Sequence, residues 1–285
     1  MSADPAARQP REKEFVLSER DFNKIRTLVK DKTGINLSEG KRDMVYSRLS
    51  RRLRQLNYDS FKDYLQNLQT DEVEIGNFIN AITTNLTSFF RENHHFEYLA
   101  KTVIPSLLKS NADTGRIRIW SAGCSTGEEP YSIAMTVLDA IPDISRWDVK
   151  ILATDLDTNV VAHAKAGVYA IDRVKDLPAN IKRKYFRKER GENVDTVRIA
   201  ENVKQLITFK QLNLMHDWPM SGPFDLIFCR NVVIYFDKPT QRILFDRYAD
   251  LLRPDGHINL GHSESLFKVS DRFKLLGNTM YQRIK

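Results

Sequence analysis

The sequence predicts an α/β protein: a doubly wound, mostly parallel sheet, preceded by a small all-helical unit and interrupted by a small antiparallel element. Three observations carry this. Residues up to about 90 show helical periodicity and no convincing strand. From Gly115 onward, short β-type runs alternate with helical patterns, which implies a parallel sheet covered on both faces. Residues 170–205 break that alternation with a short helical pattern, a polar turn and the strand-like Thr196-Val197-Arg198-Ile199.

Taken in order, residues 1–14 read as a polar, flexible leader without the apolar stretch of a signal peptide. Ser18 with Asp21 three residues on forms a capping-box arrangement. Phe22, Ile25 and Val29 then share one face until Gly34 stops the helix. A second helix spans roughly 40–56, with Val45, Leu49, Leu53 and Leu56 on one stripe. A third follows Asp59-Ser60 with Phe61, Tyr64, Leu65 and Leu68. A fourth carries Phe78, Ile79 and Ile82, and a fifth Phe96, Leu99 and Val103. Strands are expected at 117–122, 149–154, 206–212, 225–229, 257–260 and 280–284. Helices are expected after the glycine turn 123–127, over 158–167 and over 239–252, the last ending at Arg253-Pro254-Asp255-Gly256. The expected domains are a helical unit over 15–90 and a catalytic domain over 91–285, with an insert at about 170–205.

Composition bounds the function. Of 285 residues, 41% are apolar and 28% charged, which excludes a disordered chain or a collagen-like one. Two cysteines, Cys124 and Cys229, cannot form a metal site unaided and do not suggest a secreted framework. They read as buried small hydrophobes, and no metal is expected. No apolar run approaches the roughly 18 residues needed to span a bilayer, so a cytoplasmic location without membrane insertion is expected. The net charge of +7 is concentrated. Residues 41–56 hold six basic residues against Asp43, and residues 171–190 hold eight against three acids.

The turn Gly123-Cys124-Ser125-Thr126-Gly127 sits between a strand and a helix, as in nucleotide-type cradles, but does not complete G-x-G-x-x-G. Glu128 and Glu129 follow it. A pyrophosphate would need bare N–H groups there, and two carboxylates would repel it. A sulfonium and an ammonium would suit them, although stabilisation of the helix dipole explains at least one of the pair. Asp155 ends the second strand, where an acid can accept hydrogen bonds from ribose hydroxyls, and Asp157 reads as the next N-cap. Arg230 and Asn231 emerge at the end of the fourth strand, with Tyr235 just beyond.

These segments together resemble a known family. Residues 81–91 (Ala-Ile-Thr-Thr-Asn-Leu-Thr-Ser-Phe-Phe-Arg) resemble the domain-junction signature of CheR, the chemotaxis receptor methyltransferase. Residues 121–132 resemble its cofactor loop, 228–236 its fourth-strand motif, and Gly261-His262-Ser263-Glu264-Ser265 its late-sheet motif. The match runs in order from about residue 15 to the C-terminus. The resemblance implies a class I S-adenosylmethionine-dependent methyltransferase with an all-α N-terminal domain and an inserted β-subdomain. It implies transfer of a methyl group from S-adenosylmethionine to glutamates on cytoplasmic chemoreceptor helices, leaving S-adenosylhomocysteine. Asn85, Thr87 and Arg91 would line the cofactor site from the junction. Glu129 and Asp155 would contact its methionine and ribose–adenosine portions, Asn213 and Leu214 would border the adenine, and Arg230 and Asn231 would complete the site. Arg91 and Tyr235 would lie nearest the transferred methyl.

A glutamate acceptor is ionised at neutral pH, so no general base is needed. With that substrate, the basic helix has a use: Lys41, Arg48, Arg51 and Arg52 are expected to dock the receptor. In the family, the β-subdomain can tether a receptor C-terminal peptide by adding a strand; the residues themselves show only an exposed β-type element. A monomer that does not bind nucleic acid is expected. Three rivals stand. A dehydrogenase is disfavoured by the two glutamates at the glycine turn. A nucleic-acid methyltransferase would use the basic helix, but the Asn/Asp-Pro-Pro-aromatic motif of amino-methylating enzymes is missing after the fourth strand. A sensor that binds cofactor without transfer would look much the same.

Overall fold

The computed structural model describes residues 14–189 and 194–285. Most of the leader (1–13) and the polar turn Gly191-Glu192-Asn193 lie outside the described residues. The chain forms two compact units. One comprises residues through Lys32 and Leu37–Thr83; the other comprises Thr33–Asn36 and Thr84–Lys285. Residues 84–90, assigned to the helical unit from sequence, pack with the second unit.

The first unit contains α1 (Glu19–Thr33), α2 (Arg42–Leu56), α3 (Phe61–Leu68) and α4 (Glu72–Ile82). Ser18 caps α1: the Asp21 N–H donates to Ser18 Oγ at 3.1 Å, and the hydroxyl donates to the Asp21 carboxylate at 2.6 Å. Phe22, Ile25, Val29, Val45, Leu49 and Leu53 are buried, each contributing about 1.5–3 kcal/mol of burial. Leu56 departs from the expected stripe and is exposed, because the left-handed Asn57 ends α2 at that turn.

The second unit opens with α5 (His94–Tyr98) and α6 (Ile104–Ser110), joined by a π-turn at Leu99–Val103. Pro105 cannot donate a backbone N–H, which removes one α-helical bond where the turn widens. There follow β1 (Arg116–Ala122), α7 (Glu128–Ala140), β2 (Asp148–Asp155), α8 (Thr158–Ala166), β3 (Val168–Ala170), α9 (Ala179–Tyr185), β4 (Phe186–Lys188), β5 (Thr196–Ile199) and α10 (Glu201–Lys204). The chain continues through β6 (Ile207–Gln211), β7 (Phe224–Cys229), α11 (Lys238–Leu251), β8 (Leu252–Leu260), β9 (Phe273–Gly277) and β10 (Met280–Arg283).

The main sheet runs β6-β2-β1-β7-β8-β10-β9. Its first five strands are parallel, and β10 is antiparallel to both neighbours. The connection order reverses between β1 and β7, so the crevice at their carboxyl ends is the topological switch point. All six residues of β7 are buried, as befits a central strand covered on both faces. On one face, Ile117, Ile119 and Phe228 pack with residues of α5, α6 and α7. On the other, Trp120, Ile227 and Cys229 pack with α11. A separate antiparallel sheet runs β3-β5-β4.

The structure corrects two expectations in this unit. Arg253-Pro254-Asp255-Gly256 does not stand outside the sheet. Phe224 pairs with Leu252 and Leu226 with His257, so these four residues form a bulge opposite Asp225, which Arg253 meets at 3.2 Å. Strand β9 escaped notice, as did β3 and β4. Three-residue strands carry no periodicity, and β9 is a sheet edge whose middle residues are exposed.

Candidate active site

The glycine turn is shaped by packing of the chain on itself. A Cβ on Gly123 (φ +88°) would lie 2.3 Å from Val232 Cγ2; one on Gly127 (φ +98°) would lie 2.8 Å from Ala164 Cβ. The turn is tied to β2 and to the 84–90 segment. The Ser125 N–H donates to Asp155 Oδ2 at 2.8 Å, and the Ser125 hydroxyl donates to the Asn85 carbonyl at 3.0 Å. The Asn85 amide donates to Asp157 at 2.8 Å, while Asp157 caps α8 through the Asn159 N–H at 2.9 Å. The Leu212 N–H donates to the Asp155 carbonyl at 2.9 Å, which sets Asn213 and Leu214 beyond the end of β6, next to β2. Asn213 Oδ1 accepts from the Met215 N–H at 3.0 Å, and Leu214 is buried.

The two glutamates after the turn do different work. Glu128 is fully buried; Thr126 and Arg173 both donate to it, and Arg173 also donates to the Thr87 carbonyl at 2.7 Å. It is a structural ion pair that fastens the 171–174 turn to the glycine turn. Glu129 accepts from Ser121 at 2.8 Å and from Arg230 at 3.1 Å.

Arg230 is the centre of the second group. Its side chain meets Glu129 at 3.1 Å and Glu92 at 3.2 Å, and it donates to the Arg91 carbonyl. It is only 6% exposed, so a buried cation sits between two acids. Burial raises the Glu129 carboxyl, with Arg230 acting against that. Burial also opposes ionisation of Glu92, but the His262 hydrogen bond and the Arg230 charge outweigh it and hold its pKa at about 2. The Asp155 carboxyl is raised by burial against the backbone N–H groups that favour its charge. Arg91 is flanked by two non-glycine residues in the left-handed region, Phe90 (φ +53°) and Glu92 (φ +56°). Such conformations cost on the order of 1 kcal/mol each and persist where the surroundings over-determine them. Arg91 donates to the Leu86 carbonyl at 2.9 Å.

Behind this group, His95 Nε2 faces the Asn278 carbonyl at 3.1 Å. A carbonyl only accepts, so Nε2 carries the proton and Nδ1 is bare, buried and 3.7 Å from Glu92. Burial, with Arg230 close by, lowers the His95 pKa to about 3. Glu92, His94 and His95 bring three potential ligand atoms within 4.8 Å of one another. Arg230 already pairs with that carboxylate and its charge opposes a metal cation, so the cluster reads as part of the ion-pair network.

The loop after β7 carries Asn231 (φ +58°) and Tyr235. The Tyr235 carbonyl accepts from the Asn36 N–H at 2.8 Å, beside the Ile35–Phe236 bridge. The hydrogen bonds thus gather Asn85 and Asp155 in one group, and Arg91, Glu129 and Arg230 in another. Sequence reasoning missed Glu92; its placement between Arg230 and His262 depends on β7 and the turn after β8, far away in sequence. Cys124 and Cys229 are buried, with both thiols pushed up by burial, as expected of small hydrophobes.

The four predicted docking residues divide. Lys41 and Arg51 are exposed. Arg48 donates to the Ile82 carbonyl at 2.6 Å and to that of Thr83, closing the end of α4. Arg52 donates to Glu74 at 2.7 Å, and Tyr64 donates to the same carboxylate at 2.8 Å. Burial works to raise Glu74, but these hydrogen bonds outweigh it and hold it below the usual carboxylate range.

The donor set suits S-adenosylmethionine. It carries positive charge and no phosphate, and the crevice offers buried carboxylates in excess of cations rather than bare N–H groups. Comparison with known proteins agrees. Residues 85–282 match the family model described as "CheR methyltransferase, SAM binding domain", and residues 20–83 match "CheR methyltransferase, all-alpha domain". The Chemotaxis protein methyltransferase 2 of Pseudomonas aeruginosa is 45% identical over 269 residues, 94% of each chain. The Probable chemotaxis protein methyltransferase of Rhizobium etli is 43% identical, over 87% of this chain and 94% of its own. The Chemotaxis protein methyltransferase of Escherichia coli is 42% identical, over 94% of this chain and 92% of its own.

Proposed function

The chain belongs to the CheR methyltransferase family, and from that premise we infer that it transfers a methyl group from S-adenosylmethionine to glutamate side chains of chemoreceptors. The matches over both units carry this reading. The carboxyl groups of Glu129 and Asp155 beside the glycine turn support the cofactor assignment, and the match to a SAM-binding domain sets the dehydrogenase aside.

Asn85, Thr87, Arg91, Glu129, Asp155, Asn213, Leu214, Arg230 and Asn231 hold S-adenosylmethionine, which supplies a methyl group on a positively charged sulfur. The acceptor carboxylate has an ordinary pKa near 4.3 and arrives ionised, so the site removes no proton. What this chain contributes is alignment and a water-poor setting, because opposite charges are consumed together. Arg91 orients the acceptor carboxylate, and Tyr235 hydrogen-bonds near the reacting centre. Lys41 and Arg51 draw the acidic receptor helix, Arg48 and Arg52 being committed within their own unit. The protein acts as a cytoplasmic monomer without nucleic acid or membrane insertion, and its small sheet offers an edge to a receptor C-terminal peptide.

Radiolabelled methyl transfer to receptor-containing membranes tests the reading. Base-labile label on the receptor is expected. Bound cofactor without transfer would mark a sensor, and base-stable label on nucleic acid would mark the other rival. Arg91→Ala and Tyr235→Phe should each lower kcat about tenfold or more at saturating cofactor. Near-normal turnover in either variant would remove that residue from its role.

A further inference from the structure

The turn after β8 buries a carboxylate that none of these roles uses. Glu264 is 4% exposed. Its Oε2 accepts backbone N–H groups from Asn231 at 2.9 Å and Gly261 at 2.6 Å. Its Oε1 accepts from Val232 and Val233, both at 2.9 Å, and from Ile234 at 3.3 Å. Four of these five donors are consecutive amides of the loop between Arg230 and Tyr235.

The loop needs such a partner. Asn231 is left-handed (φ +58°) and Val232 is right-handed (φ −115°), the alternation that turns successive N–H groups into an anion-binding concavity. One 3-10 turn at Val233–Tyr235 follows. Without Glu264, the buried Val233 and Gly261 donors would be orphaned and the other three would lose their protein partner. Two glycines bring the flanking chain into contact. A Cβ on Gly261 would lie 2.5 Å from Asn231 Nδ2 and 2.8 Å from its backbone N, and one on Gly123 would meet Val232. The loop is held from the glycine turn on one side and from the Gly261–Glu264 turn on the other.

We propose that Glu264 is a positioning residue of the active site: its carboxylate fixes the backbone of residues 231–234 and thereby sets Asn231 and Tyr235 for methyl transfer. This rests on the reading of Asn231 and Tyr235 given above. A carboxylate is required because it only accepts, whereas a Gln amide would turn its own donors on at least one of the N–H groups.

Wild type, Glu264→Gln, Glu264→Asp, Tyr235→Phe and the Glu264→Gln/Tyr235→Phe double variant are compared in the receptor methylation assay. Melting temperature and hydrogen exchange of the 230–236 peptide are followed in parallel. Glu264→Gln should stay folded, lose about tenfold or more in kcat with KM for receptor changed much less, and exchange faster only at 230–236 and at Gly261. Glu264→Asp should recover part of kcat. The double variant should be no slower than the slower single variant, since both act on one element. Wild-type kcat in Glu264→Gln, or fully additive losses, would overturn the proposal. If the wild type itself transfers no methyl, the functional reading fails, and exchange still decides the clamp. The same measurement decides if neither Glu264 variant folds: slow exchange at 231–234 in the wild type supports it, and exchange as fast as an exposed loop overturns it.

Discussion

Arg230 shows how one side chain ties the packing of the fold to the proposed site. It separates the buried Glu129 from the half-buried Glu92 and holds the Arg91 carbonyl, so the backbone of a proposed catalytic residue depends on it. Arg230→Met keeps the length and removes the charge, leaving Glu129 with the Ser121 hydroxyl and no cation, and taking from Glu92 its buried one. The expected loss is about 3–5 kcal/mol, read as a shifted urea midpoint. A shift under about 1 kcal/mol would mean that the acids simply take up protons. His95 gives a pH signature. Its pKa is about 3 in the fold and near 6.5 when unfolded, so its contribution is complete above pH 6.5 and drains away as the pH falls towards 3. Glu92, held at about 2, adds to the loss only below about pH 4.5. His257, lowered mainly by burial, shares the upper window. Glu129 and Asp155, raised by burial, act in the opposite sense, so the test is the difference: from pH 7 to 5 His95→Asn should lose less melting temperature than the wild type. Equal slopes would remove His95 from the account.

At the level of elements, the basic segments turn out to mix scaffold and surface. Helical spacing placed Lys41, Arg48 and Arg52 along one side of α2, yet spacing cannot say which guanidinium finds a partner. Arg48 closes α4 and Arg52 anchors the buried Glu74, so reversing either charge should lower the melting temperature before it reports on docking. Lys41→Glu with Arg51→Glu is the cleaner test. KM for receptor should rise and its salt dependence should flatten, with the melting temperature unchanged. An unchanged KM across ionic strength would place docking elsewhere. The 171–190 cluster divides in the same way: Arg173 pairs with Glu128 and Lys184 with Asp139, while Arg183 and Lys188 stay exposed. β4 is an edge of the small sheet, and edges accept an added strand. A receptor tail peptide should bind with an affinity that Lys188→Pro, on the exposed β4 edge, abolishes while methylation of tail-less receptor continues. No heat of binding in calorimetry would count against a tether.

For the whole molecule, much was legible along the chain because the signals are local. The α1 cap, the buried stripes of α1 to α4, the glycine turn, and β1, β2, β6 and β7 all rest on residues a few positions apart, where periodicity and turn chemistry act. The four ordered motifs carried the family resemblance in the same linear fashion. What the sequence could not supply were contacts closed by topology. Strand order brings β7 beside β1 and β8, and only then does Arg230 meet Glu92 and Glu129, and Glu264 meet the 231–234 amides. The short strands β3 and β4 and the edge strand β9 owe their state to a neighbour's hydrogen bonds rather than to a pattern of their own. The sequence alone determined the class of fold, the family it resembles and the residue types at the crevice. The tertiary structure decided which charges are paired, which glutamate after the turn is scaffold, and what holds the loop that bears Tyr235. The reason is physical: propensity and spacing act over a few residues, whereas burial and charge pairing depend on neighbours that only the folded chain brings together.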